Sequence, residues 1–285
     1  MTRNADSLIL RPCRSPDALH EWIRLFLGLS IPRDCVCDNH DAPFEYVCRA
    51  YFEPADDLIV WAPRGGGKTR LAAVATLLDL LHKPGVSVRI LGGSLEQSLK
   101  MWEHLLPDAL RVAHELIDTP AAARRLRLRS GSNASVLTQS ERAVRGLRVQ
   151  KLRCDEVELF DREVWEAAQL VTKSRGAGPE IQCADLLSRP NPKPGFRSPT
   201  PAVPISGAIE ALSTLHRPFG LMQKLIDDAQ RAGSPRIIRW CLLEVLERCP
   251  PQRQCRSCPL WDDCGGVAKT KCAGFVSIDD AIRSN

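Results

Sequence analysis

Three groups of residues in this chain have types and spacings that could do chemistry. The first is APRGGGKT, residues 62–69. Gly65, Gly66 and Gly67 let the backbone turn tightly, so its N–H groups can face phosphate oxygens. Lys68 supplies a point charge for β- and γ-phosphates, and the Thr69 hydroxyl can ligate Mg²⁺. The first glycine of the usual phosphate-loop pattern would fall at residue 62, which is Ala62. The second group is Asp155-Glu156. Asp155 is expected to hold Mg²⁺, directly or through water, and Glu156 to orient and deprotonate an attacking water. A solvated acidic turn is the alternative for that pair.

The third group is cysteine. Cys249, Cys255, Cys258 and Cys264 follow a C-x5-C-x2-C-x5-C spacing, with Cys241 and Cys272 on either side. Four thiols so close together in a reducing compartment point to a metal. Zinc is the expectation, since Zn²⁺ takes four sulfurs in a tetrahedron. A 4Fe–4S cluster, which also takes four cysteines, is the alternative. The segment 255–266 has some likeness to auxiliary iron–sulfur segments. Unligated surface thiols would be the plain reading. Cys35, Cys37 and His40, with Cys13 or Cys48, could make a second site, although C-x-C is a poor spacing for one ion. Cys154 and Cys183 read as buried thiols.

Composition narrows the setting. The chain has 285 residues, 44% hydrophobic and 26% charged, so it is neither fibrous nor wholly disordered. Its 12 cysteines would suit a small secreted scaffold, but the chain is far too long for one. No signal-peptide core is present at the N-terminus, and the longest apolar run, residues 71–78, is too short for a membrane span. The expectation is a cytoplasmic protein with no membrane partner. The net charge of +5 is mild. Yet Arg124, Arg125, Arg127, Arg129, Arg142, Arg145, Arg148, Lys151 and Arg153 crowd one stretch, opposed by Glu141 alone. Such a stretch could contact nucleic-acid phosphates without reading sequence, or be a solvated face. Arg142, Arg145 and Arg148 are the candidate DNA contacts, and Arg145 and Arg148 could instead meet nucleotide at a subunit edge.

These groups need elements to position them. Helices are expected over 15–29, 44–52, 68–82, 94–106, 161–173 and 219–232. Short apolar runs predict strands over 57–62, 86–92, 135–139, 147–154 and 207–214. Lys151 and Arg153 interrupt the apolar run of the fourth. Ser94 and Gln97 read as a capping box, and Ser277 and Asp280 as a helix start. The proline-rich stretch 190–204 reads as a loop. Alternating strands and helices predict an α/β phosphate-loop NTPase with a mainly parallel sheet, plus a small Cys-rich C-terminal module. The expected division is an N-terminal helical segment over 1–56, an ATPase domain over 57–240 and a metal-binding linker over 241–285.

In their order and spacing, APRGGGKT (62–69), AVRGLR (143–148), CDEVELFD (154–161) and ALSTLHRPFGLM (211–222) resemble the large terminase subunit of tailed bacteriophages. The resemblance runs from about residue 40 to 230. It implies an ATPase that drives double-stranded DNA into a capsid, working as a ring with a portal and a small terminase subunit. Through it, Arg64 resembles the loop arginine that acts as a finger or phosphate sensor. Lys68 and Thr69 match the phosphate and Mg²⁺ residues, Asp155 the Mg²⁺ carboxylate and Glu156 the catalytic glutamate. Ser213 and Thr214 match the segment coupling hydrolysis to motion, where ordinary strand-end capping is the alternative. Phe44 and Tyr46 stand at the place of the adenine-recognition segment. Terminases often lack the first glycine, so Ala62 is no objection.

The resemblance also implies a C-terminal nuclease domain, and no carboxylate trio for one is visible. ATP hydrolysis without DNA cleavage is therefore expected, from a chain that looks truncated or split. A helicase-like nucleic-acid ATPase and a metal-binding adaptor with a dead phosphate loop are the competing readings.

Overall fold

The computed structural model describes residues 8–52, 57–118, 124–138, 149–172, 205, 207–215 and 218–284. Seven strands build one sheet: β1 Leu58–Trp61, β2 Ser87–Gly92, β3 Arg125–Arg127, β4 Asn133–Val136, β5 Lys151–Asp155, β6 Ala208–Ser213 and β7 Arg236–Arg239. Their order is β3-β4-β2-β5-β6-β1-β7. Every neighbouring pair is parallel except β3 with β4. This is the α/β architecture expected from the alternation of elements. Two strands escaped that reading, β3 (RLR) and β7 (RIIR), because arginines hide their short apolar pattern. They are the two edge strands, where charged side chains also discourage pairing with other chains.

The helices are α1 Pro16–Trp22, which runs on as a π-turn through Leu27, α2 Pro43–Phe52, α3 Lys68–His82, α4 Leu95–Ala113, α5 Arg162–Ala168, α6 Leu221–Ala232, and the short α7 Trp261–Cys264 and α8 Ile278–Ser284. Helix α3 is the centre of the main core. Leu71 to His82 are all buried, so the helix is apolar nearly all round, as a helix enclosed by a sheet and other helices must be. Helix α4 passes through Pro107 and continues two turns beyond the expected end. Proline removes one backbone bond there. The buried row Met101, Leu105, Ala109 and Ala113, spaced by four, keeps the helix docked on the core.

Lys151 and Arg153 correct the sequence reading. Both lie inside β5 and are buried, at 2% and 0% exposure, so neither can touch DNA. Arg153 is held by a network. Its guanidinium donates to both Glu210 carboxylate oxygens (2.9 and 2.8 Å), to Asp79 (2.7 Å) and to Thr76 Oγ1 (3.0 Å). The Tyr46 hydroxyl donates to Glu210 at 2.6 Å. Buried charges are tolerated when each is paired and hydrogen-bonded, as here. The network ties β5, β6, α2 and α3 together directly beneath the strand ends.

Residues 241–284 contain short turns and the two small helices around their own cluster, including Leu243, Leu246, Leu260, Ala268, Ile278 and Ala281. Val36 and Cys37, from the loop before α2, pack against this cluster. The Ser277 hydroxyl accepts from Asp280 N at 3.0 Å and caps α8, the start expected there.

Candidate nucleotide site

In an open α/β sheet, ligands bind beyond the carboxyl ends of the strands. Three adjacent strands, β5, β6 and β1, end together here. Asp155 and Glu156 leave β5, Ser213 and Thr214 leave β6, and the glycine-rich loop leaves β1. Parallel register aligns these ends: Asp155 stands opposite Leu212, and Trp61 opposite Ser213. The result is a cavity of about 600 Å³ lined by Arg64, Gly65, Lys68, Thr69, Asp155 and Glu156, with Thr214 and the α4 residues Gln97 and Lys100 on its walls.

The loop opens directly into α3 at Lys68, so the first-turn N–H groups of a long helix face the cavity. Gly67 takes a left-handed conformation, φ +73°. A Cβ there would also lie only 2.6 Å from the Phe275 ring. Both facts require glycine. Ala62, in the place of the first glycine, is buried and donates its N–H to Ser213 O at 3.3 Å. Trp240 Nε1 donates to Gly66 O at 2.7 Å. The loop is thus held from behind by Trp240 and Phe275, neither of which any sequence motif pointed to.

The charged groups interlock. The Thr69 hydroxyl donates to Asp155 Oδ2 at 2.7 Å, and Lys68 Nζ meets Glu156 Oε1 at 2.8 Å. Glu156 Oε2 lies 3.4 Å from the Ser213 hydroxyl and 3.3 Å from the Thr214 hydroxyl, both donors to it. Glu156 itself has φ +54°, a strained backbone for a residue with a side chain, and such strain collects at functional sites. Ser213 Oγ in turn accepts from Glu158 N at 3.1 Å, and Glu158 Oε2 accepts from Met222 N at 2.8 Å. A continuous hydrogen-bonded path therefore runs from Glu156 through β6 to the start of α6.

Burial pushes the Asp155 carboxyl up to about 6, although Lys68 and the Thr69 hydroxyl pull the other way. Burial also raises Glu156, but the Lys68 ammonium and hydrogen bonds from Lys68 and Thr214 outweigh it and leave Glu156 below the ordinary carboxylate range. The two carboxylates are adjacent yet differ in character, one reluctant to ionise and one held charged. Asp155 Oδ1 is buried without a hydrogen-bond partner. A buried, unpartnered carboxylate oxygen beside a threonine hydroxyl fits a hard cation that takes oxygen ligands.

Arg64 is exposed at the cavity rim. Gln97 differs from its expected role. Ser94 Oγ does accept from Gln97 N at 3.2 Å, but the Gln97 amide oxygen does not return to the helix start; it is buried without a hydrogen-bond partner. Gln97 instead lines the cavity. Phe44 and Tyr46 are buried in the main core, where Tyr46 serves the Arg153 network. Arg142, Arg145 and Arg148 lie outside the described residues. Arg124, Arg125 and Arg127 are exposed at the β3 edge.

Cys249, Cys255, Cys258 and Cys264 are brought together around a second, small cavity of about 20 Å³, beside Leu246, Leu260, Trp261, Arg253 and Lys269. Ala268 N donates to Cys264 Sγ at 3.4 Å. Among the described residues, however, the one group whose donor atoms all lie within 4.8 Å of one another is Cys37, His40, Cys241 and Glu244. The four C-terminal sulfurs are therefore spread wider than that. Cys35, which the sequence placed beside Cys37 and His40, instead donates its thiol to His40 O at 3.1 Å. Cys13 and Cys48 pack against the main core. No helix among the described residues is long and apolar enough to cross a membrane.

Comparison with family models and with curated proteins finds no match. Solved structures that resemble this chain include phage large terminases. The bacteriophage HK97 large terminase is 18% identical, with a TM-score of 0.49 over 99% of this chain and 51% of its own. The ATPase domain of the Thermus phage P74-26 large terminase is 13% identical, with a TM-score of 0.49 over 81% of this chain and 86% of its own. The large terminase of the thermophilic bacteriophage D6E, in complex with ADP, is 12% identical, with a TM-score of 0.46 over 70% of this chain and 44% of its own. The chain thus spans about half the length of the HK97 and D6E proteins it matches.

Proposed function

We propose that this chain is an ATPase whose hydrolysis drives movement of double-stranded DNA, as the motor part of a phage large terminase. The observation that carries the ATPase reading is Glu156, held at once by Lys68 and by the hydroxyls of Ser213 and Thr214 above an adjacent Asp155. The loop N–H groups and Lys68 bind the β- and γ-phosphates. Thr69 and Asp155 would hold Mg²⁺, which when bound supplies positive charge to the same phosphates. An arriving γ-phosphate competes with Glu156 for Lys68. Losing that ammonium raises the proton affinity of Glu156 and frees it to take a proton from the attacking water. Arg64, at the rim, is placed to reach charge that develops on the transferred phosphoryl group. Ser213, Glu158 and α6 form the path by which loss of the γ-phosphate reaches the rest of the chain.

The exposed arginines of β3, and Arg142, Arg145 and Arg148, are the proposed contacts to DNA phosphates. A portal, a small terminase subunit and further copies in a ring are the partners this reading implies. Sequence spacing favours one zinc ion at Cys249, Cys255, Cys258 and Cys264. A 4Fe–4S cluster, which also takes four cysteines, is the second reading there. Hydrolysis of ATP by the full chain, measured with and without double-stranded DNA, tests the proposal. Mg²⁺-dependent turnover that rises with DNA and vanishes in Lys68→Ala is expected. Turnover unchanged in Lys68→Ala would refute the site, and turnover indifferent to DNA would refute the motor. Visible absorption of the anaerobically purified chain reports the cluster.

A further inference from the structure

A second metal centre is built from residues far apart in the chain. Cys37 and His40 lie in the loop before α2, and Cys241 and Glu244 follow β7. We propose that these four side chains bind one tetrahedral zinc ion that clamps the loop before α2 onto the segment after β7. The distances carry the argument. Two thiolates at about 2.3 Å from a tetrahedral zinc stand about 3.8 Å apart. The Cys37 and Cys241 sulfurs are 3.6 Å apart. An imidazole nitrogen and a carboxylate oxygen, each about 2.1 Å from the same ion, stand about 3.4 Å apart. His40 Nδ1 and Glu244 Oε1 are 3.3 Å apart. All four donor atoms lie within 4.8 Å of one another.

The chemistry of the surroundings agrees. The Glu244 side chain has 0% exposure, and its ion-pair partner among the described residues is His40, with no lysine or arginine. A buried carboxylate needs a cation or a full set of hydrogen bonds. Glu244 has two donors, Val36 N to Oε2 at 2.6 Å and Cys37 N to Oε1 at 2.9 Å, both neutral, so they hold the carboxylate in place without neutralising it. His40 Nδ1 is buried without a hydrogen-bond partner and faces the Glu244 carboxylate, so an ion between them would satisfy both. Cys272 is excluded as a ligand because its thiol donates to Leu243 O at 3.1 Å. Four protein ligands close the coordination sphere, which marks a structural rather than a catalytic zinc. The position gives the clamp its purpose: the residue before Cys241 is Trp240, whose indole holds the Gly66 carbonyl. His40 keeps a quarter of its side-chain surface exposed, enough for an ion to enter.

The test is zinc content and zinc-edge X-ray absorption of the full chain, purified under reducing conditions, and of its variants. Cys37→Ser is expected to lose one equivalent of zinc, whereas Cys255→Ser retains it. The zinc retained in Cys255→Ser should show two sulfur and two nitrogen or oxygen neighbours. An unchanged zinc count in Cys37→Ser overturns the proposal. So does a sulfur-only zinc shell in the wild-type chain, or a zinc-free chain with a Cys37–Cys241 disulfide. The wild-type shell decides the matter even where Cys37→Ser does not fold.

Discussion

The candidate nucleotide site and the cysteine-rich region are positioned by opposite means. In the first, backbone does the work: β5, β6 and β1 lie side by side in parallel register, and their ends deliver Asp155, Ser213 and the phosphate loop to one place. In the second, residues 241–284 supply short turns and two small helices, and the groups that converge are side-chain donors. A sheet fixes its functional groups through a ladder of hydrogen bonds that survives surface change. A region with so little ladder depends on each donor it contributes. The two meet at the glycine-rich loop, where Trp240, the residue just before the cysteine-rich region, bonds Gly66 and Phe275 within that region abuts Gly67. The loop is gripped from one side by the sheet and from the other by the region that the metals would stabilise.

The contrast can be broken first at the sheet. Arg153→Ala leaves Glu210 and Asp79 buried without their shared cation, and losing one partner of a buried pair costs about 3–5 kcal/mol. Denaturant unfolding of that variant should show this loss with zinc content unchanged. A cost below about 1 kcal/mol would mean that the network does not hold the strand ends.

A smaller effect of opposite sign is expected at Asp155. Its folded value of about 6 lies above the ordinary 3.8. Protonation therefore favours the folded state: that stabilisation is fully present below about pH 4 and is lost as pH rises through about 6. At pH 7 the metal-free chain carries the cost of a buried carboxylate. Asp155→Asn should stabilise it by at most about 3 kcal/mol while removing Mg²⁺-dependent hydrolysis. Thermal unfolding at pH 7 and at pH 5 checks the sign, since the advantage should shrink at pH 5. A variant less stable than wild type at both pH values would contradict the argument.

The smallest effect probes the junction. Trp240→Phe removes one hydrogen bond to the loop, about 1 kcal/mol of stability. It should weaken nucleotide binding more than it slows the bound-state reaction. Equal binding by both proteins would show that the grip from the cysteine side is irrelevant to the site.

What could be read from the residues alone follows the same division. The run from Gly65 to Thr69 and the pair Asp155-Glu156, which the structure brings to one cavity, stand out in the sequence because each is a local run; β1 before the first is a plain apolar run, whereas Lys151 and Arg153 interrupt the pattern of β5 before the second. Arg153 was misread as a surface contact, because its neutralising partners, Asp79 and Glu210, are 74 and 57 residues away. Gln97 was assigned to a helix cap on spacing alone, and its side chain turns into the cavity. The four C-terminal cysteines announce themselves within sixteen residues, whereas Cys37 and Cys241 are separated by 204. Only the fold brings such donors together, by pairing residues 39–41 with β7: Asp41 N donates to Arg239 O at 2.7 Å, and Asp41 accepts from Arg236 and Arg239.

The central claim is that Glu156 is the base of an ATP-hydrolysing site. Single-turnover hydrolysis and nucleotide binding, measured together for wild type and Glu156→Gln, test it most directly. The account predicts that Glu156→Gln still binds ATP with Mg²⁺ while its hydrolysis rate falls by about 10²–10⁴, the range a general base contributes. A variant that hydrolyses ATP at the wild-type rate would contradict it.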